Sequence, residues 1–205
     1  MNELWKERWN LISKNQFAGF IVGATVFFFL LFKSEPGFMM ILKPADTLFH
    51  EAGHPVVGMF SDRLCVYGGT MGQLFFPTFL MITFWLRREP VSVAAASLWF
   101  FENWLNISRY LADARQQMLP LIGGGCHDWT EILGRWHLTA YDMRIGRGIN
   151  AVAFTGMALT VGWIVVLWFA TATERADEIK NESASGDEME TRFKNFVKKQ
   201  ELLGK

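Results

Sequence analysis

The chain has 205 residues and no formal net charge, yet about half of it is hydrophobic and it carries 19 Phe and 9 Trp. The charge is segregated, with long uncharged runs between short charged connections and a charged C-terminal stretch. That pattern excludes an ordinary soluble domain. With no basic domain and no Gly-rich phosphate loop followed by Lys, nucleic-acid binding is excluded as well.

Residues 1–16 read as a short amphipathic helix at the membrane interface, with Leu4, Trp5, Trp9, Leu11 and Ile12 on its apolar side and Lys6, Arg8 and Lys14 supplying positive charge. Residues 17–32 are uncharged and cover about 24 Å as a helix, a little less than the ~30 Å hydrocarbon core, so flanking residues complete the span. No small-x-small cleavage pattern follows, and the run reads as a retained anchor rather than a signal peptide. Within residues 38–60, Pro44 and Asp46 suit a helix start. The sequence His50-Glu51-Ala52-Gly53-His54 lies about two turns in, and Pro55 behind it predicts a kink or stop near His54.

Residues 69–86 form a second span, Arg87-Arg88-Glu89-Pro90 a turn, and residues 91–117 one long helix. A glycine-rich loop over 119–129 and a short helix over 130–137 precede the clearest span, 148–170. From 171 onward the chain is charged. Residues 188–203 read either as an amphipathic helix, with Met189, Phe193, Phe196, Val197 and Leu203 on one broad side, or as a partly disordered tail. The expected fold is all-α: a polytopic membrane helical bundle. It divides into the interfacial segment 1–16, a membrane helical domain 17–170 and a charged cytoplasmic tail 171–205.

Charge decides the expected topology. If residues 38–60 do not cross, there are four spans, and one side collects the N-terminal cations, Arg87-Arg88 and the tail, twelve of the 20 Lys and Arg. If they do cross, the bias largely disappears. The positive-inside rule therefore favours four spans, cytoplasmic termini, and an HExxH segment that is re-entrant or interfacial from the other side. Membrane lipids are then the surrounding partner. Cys65 and Cys126 are either one disulfide or two unrelated thiols.

The HExxH spacing carries the chemistry. Residues four apart share a helix face, so His50 and His54 can aim both imidazoles at one metal. Glu51 beside them is placed to take a proton from a metal-activated water. A zinc site needs a third protein ligand and an open position. One source is the 91–117 helix, where Glu102, Asn106, Arg109 and Asp113 fall within about 60° of arc. This polar stripe faces a bundle interior or a water-filled cavity, or it is an internal salt-bridge ladder. A second source is the loop, where His127 or Asp128 could ligate the metal or orient a ligand.

His50-Glu51-Ala52-Gly53-His54 in a membrane bundle resembles the site-2-protease (M50-like) group of membrane zinc metalloproteases. The resemblance implies zinc, HExxH on a membrane helix and a third ligand, an aspartate, from a later helix. Asp113 is its counterpart by position, although Ala114 follows where the family carries glycine. Gly68-Gly69-Thr70 with Gln73, Ala112-Asp113-Ala114-Arg115 and the loop Gly123 to Trp129 also resemble a set of bacterial membrane proteins of no established activity, which implies a bacterial inner membrane. The leading expectation is a membrane-embedded zinc hydrolase acting on membrane-associated peptides. Its rivals are a non-catalytic subunit of a larger membrane complex, with histidines holding a structural metal or porphyrin-type cofactor, and a transport component using the Glu102/Arg109/Asp113 stripe.

Overall fold

The computed structural model describes residues 9–34, 39, 41–120, 127–177, 180–181, 188–189 and 192–193. Its main helices are α1 (Lys14–Lys33), α2 (Lys43–Gly58), α3 (Cys65–Leu86), α4 (Pro90–Ala112), α5 (Asp128–Arg135) and α6 (Asp142–Ala170), with a 3-10 turn at Thr139–Tyr141 and no strand among the described residues. The chain separates into two compact units, Met1–Ile164 and Val165–Lys205. In the second, the Arg175 guanidinium lies 3.5 Å from the centre of the Trp168 ring and bonds Thr171, while Arg192 pairs with Glu188 at 2.7 Å. Residues 188–189 and 192–193 are helical, and the rest of the expected 188–203 helix lies outside the described residues. The packing and the sites described below lie in the first unit.

Ser13 starts α1 through a capping box with Gln16. The expected helix over 1–16 is corrected in its described part, since residues 9–12 are irregular. The Asn10 backbone N–H donates to Arg88 O at 3.1 Å and its side chain to Arg87 O at 3.2 Å, which ties this strip to the turn between α3 and α4. Trp9 meets Trp85 and Trp163 edge-on, with centroids 4.8 and 5.2 Å apart.

Among the described residues, three helical segments are long and apolar enough to cross a membrane: α1, α3 and Thr139–Ala170. The expected fourth, α4, has the length but not the apolarity, because Glu102, Asn103, Asn106 and Arg109 interrupt it. It is instead the helix most enclosed by others, burying residues from Pro90 to Leu111, whereas α1 buries only Phe20, Ala24 and Leu31. It also ends earlier than expected. The Asp113 carboxylate accepts the backbone N–H groups of Met118 and Leu119, both at 3.0 Å, and turns the chain there.

Of the kink or stop predicted near His54, the stop does not occur, and α2 runs on to Gly58 with Pro55 inside it. Pro55 lies in the last turn, where it removes one intrahelical bond, and tight packing on α3 holds the helix. Gly53 rests on the Gly68 backbone and Gly72 on Phe49 and Gly53. A Cβ at Gly53 would collide with the Gly68 carbonyl, so the two backbones approach as only glycines permit. At the other end of α4, Leu111, Ala114 and Leu133 form a small core flanked by Trp129, Ile145 and Ile149. Thr130 Oγ1 donates to Ala114 O there and fastens the start of α5 beside the end of α4.

Candidate metal centre

His50 and His54 lie one turn apart on α2, with ring centroids 5.0 Å from each other. Asp128, the first residue of α5, reaches both: its Oδ2 is 3.0 Å from His50 Nε2 and 3.3 Å from His54 Nε2. One ligand atom from each of the three residues lies within 4.8 Å of the others, a spacing that a single metal ion could bridge.

The far side of each ring explains why this arrangement suits a cation. His54 Nδ1 is 2.9 Å from the Cys65 carbonyl, which can only accept, so Nδ1 carries the proton. His50 Nδ1 lies 3.2 Å from Gln73 Oε1, which accepts from it in this amide orientation. With Nδ1 donating and the rings neutral, each Nε2 would turn a lone pair toward the Asp128 oxygen, which also carries lone pairs. Three acceptors facing one point repel unless a positive charge sits among them, and an outer acceptor that fixes the tautomer is the usual support of a metal-binding histidine. The donor set of two imidazoles and one carboxylate suits a divalent transition-metal ion.

Gly69 of α3 forms the wall behind the rings. A Cβ there would strike the Nε2 atoms of both histidines. Cys65 donates its thiol to His54 O at 3.3 Å and is a free cysteine; Cys126, its possible disulfide partner by sequence, lies outside the described residues. Asp128 is held by its backbone N–H, which donates to the Tyr110 hydroxyl at 3.2 Å, and the Tyr110 ring lies 5.8 Å from that of His50. Glu51 is half-buried, interacts electrostatically with Tyr110, and makes no hydrogen bond or ion pair among the described residues.

Of the three expected sources of a third ligand, Asp128 is the one brought to the histidines. Asp113 spends both carboxylate oxygens on the turn after α4. His127 is the N-cap of α5, with Nδ1 accepting from Thr130 N at 3.4 Å and Nε2 3.6 Å from Asp113 Oδ2. Burial pushes the His127 imidazole below its ordinary range, against the pull of the Asp113 and Asp128 carboxylates. Within the stripe, Glu102 and Asn106 are buried toward the first turn of α2, and Arg109 lines a groove with Ser108, Arg147 and Asn150.

Gln73, the Cys65 carbonyl, Gly69 and Tyr110 support the centre without having been assigned a part in it from sequence. Gly69 and Gln73 stood within the Gly-Gly-Thr stretch that carries part of the resemblance, whereas nothing local marked Tyr110. Compared with known proteins, the chain matches no family model, no curated protein and no solved structure, so its chemistry is read from its own residues.

Proposed function

We propose that the protein is a membrane-embedded zinc metalloprotease-like hydrolase acting on membrane-associated peptides. One observation carries the reading: both HExxH imidazoles have an oxygen within hydrogen-bond reach of Nδ1 and turn Nε2 to the same Asp128 carboxylate oxygen. Zinc bound by His50, His54 and Asp128 would supply Lewis-acid polarisation of a peptide carbonyl and an acidified water. In this proposal Glu51 accepts a proton on its unengaged carboxylate and returns it to the leaving amine. Tyr110 positions Asp128 through the backbone bond and lends the centre one hydroxyl. Gly69 keeps the metal position clear.

The proposal extends to topology. α4 crosses with the three apolar helices, its polar residues turned into the protein, giving four crossings and cytoplasmic termini in a bacterial inner membrane. Cysteine labelling from either side of sealed vesicles tests this, and labels reaching the two termini from opposite sides refute it.

The chemical test compares wild type with Glu51→Gln for hydrolysis of membrane-inserted peptides, together with zinc content. Zinc retained in both, and hydrolysis lost in the variant, is the expected result. Equal hydrolysis sinks the role of Glu51. Zinc without hydrolysis in either protein points instead to a non-catalytic subunit whose histidines hold a structural metal.

A further inference from the structure

One turn before His50, α2 and α4 bury a second polar cluster that the proposed hydrolysis leaves unused. Asp46 is 1% exposed, and Glu102 and Asn103 are fully buried. Trp99 Nε1 donates to Asp46 Oδ1 at 2.9 Å, and the side chains of Glu102 and Asn103 both reach the Asp46 carboxyl. Asn103 has its amide nitrogen engaged by Trp99 O at 3.1 Å. With both acids ionised, Asp46 Oδ2, both Glu102 carboxyl oxygens and Asn103 Oδ1 are buried without a well-placed donor. A buried acceptor without a partner is costly, and here four lie on three adjoining side chains.

The surplus is one of acceptors, and Asn103 matters most to the argument. It is uncharged, so its orphaned oxygen takes no proton of its own and needs a donor or a cation from outside the amide. A cation held among these side chains would answer the surplus. The charged groups around the cluster set its valence. From α2, the Lys43 ammonium donates to Asn106 Oδ1 at 3.3 Å and acts on Asp46 and Glu102 through space; from α4, Arg109 acts on Lys43. Asn106 Nδ2, an orphaned donor, stands one turn beyond Glu102 beside Lys43. With both acids ionised, Lys43 beside them and Arg109 beyond it leave at most one excess negative charge, which suits a monovalent rather than a divalent ion. Carboxylate and amide oxygens are hard ligands, and ionisable groups inside a membrane bundle mark ion sites by default.

We propose that Asp46, Glu102 and Asn103 form a buried, oxygen-lined site for a hard monovalent cation, sodium, separate from the metal centre. The test is thermal unfolding of the full chain in detergent, with sodium, potassium or choline chloride at equal ionic strength. Sodium should raise Tm saturably, by about 3–6 °C at ten times its Kd, and choline should not. The rise should vanish in Asp46→Asn and in Glu102→Gln, and survive in Trp99→Phe, which keeps all four oxygens. A rise that choline reproduces, or that persists in both carboxamide variants, overturns the proposal. So does a wild-type Tm indifferent to sodium, the result if the carboxyl pair holds a proton instead. If the variants fail to fold by circular dichroism, the wild-type comparison of sodium with choline still decides, supported by sodium-23 line broadening that excess lithium does not explain.

Discussion

Replacing Gly69 with alanine tests the geometry of the metal centre without touching a ligand. The added Cβ would lie 2.7 Å from His54 Nε2 and closer still to His50 Nε2, against 3.4 Å for ordinary contact, so the His54 ring must retreat by about 0.7 Å. A metal site tolerates ligand displacements of only about 0.2 Å. Retreat also pulls each Nδ1 from its acceptor, the Cys65 carbonyl or Gln73. Disturbing such outer contacts alone lowers metal affinity by about 10–100-fold, and moving the ligands themselves should cost at least the upper figure. Fold stability changes far less. Alanine gains about 1 kcal/mol of helix propensity over glycine, while overpacking costs about 1–3 kcal/mol. The net loss of about 0–2 kcal/mol corresponds to a Tm lower by about 0–8 °C. Chelator-competition titration with zinc, beside unfolding of the apo protein, reads both quantities. Gly148→Ala, where nothing lies within 4 Å of the new Cβ, should leave zinc binding unchanged. Wild-type zinc affinity in Gly69→Ala would falsify the geometry assigned to the centre.

Further expectations can be measured on the same preparation. Asp128→Asn removes the anionic ligand and should abolish stoichiometric zinc, whereas Asp113→Asn should leave zinc content intact and lower Tm by loosening the turn after α4; the reverse pattern would restore Asp113 as the ligand. Tyr110→Phe removes the acceptor for the Asp128 N–H and should cost about 1 kcal/mol of stability, seen as a Tm drop of about 2–4 °C, with unchanged Tm refuting that bond. Trp99→Phe leaves buried Asp46 Oδ1 without its donor and should cost about 1–3 kcal/mol, measured by denaturant or thermal unfolding.

The parts that local pattern encodes were legible in the sequence. The pairing of His50 with His54 follows from helical spacing, and the apolar runs around 17–32, 69–86 and 148–170 all became parts of long helices. What failed depends on contacts between distant residues. Pro55 signalled a kink or a stop, and the stop is overridden where the glycine seam with α3 outweighs one missing hydrogen bond. Asp113 was an apt ligand by its position on the stripe, yet it lies where α4 must end, and its oxygens serve the backbone. Asp46 looked like a helix-start acid, and only the packing of α2 on α4 reveals that it meets Trp99 and Glu102. Of the four spans expected from the charge bias, three stand out by apolarity among the described residues, while α4 carries buried amides and acids that hide it from such a reading.

The centre draws its members from places far apart in the chain: His50 and Asp128 are separated by 78 positions. A metal joining them would therefore act as a covalent-like staple, closing a loop of that length in any state that retained it. In the chain-entropy description of cross-links, a closure of this size is worth about 4.5 kcal/mol through restriction of the unfolded ensemble alone. Folding and metal capture would then be one process, in which α5 settles beside α2 as the ion arrives. A chelator would slacken the tertiary structure as well as silence the chemistry, and metal supply during synthesis would set how much of the protein matures.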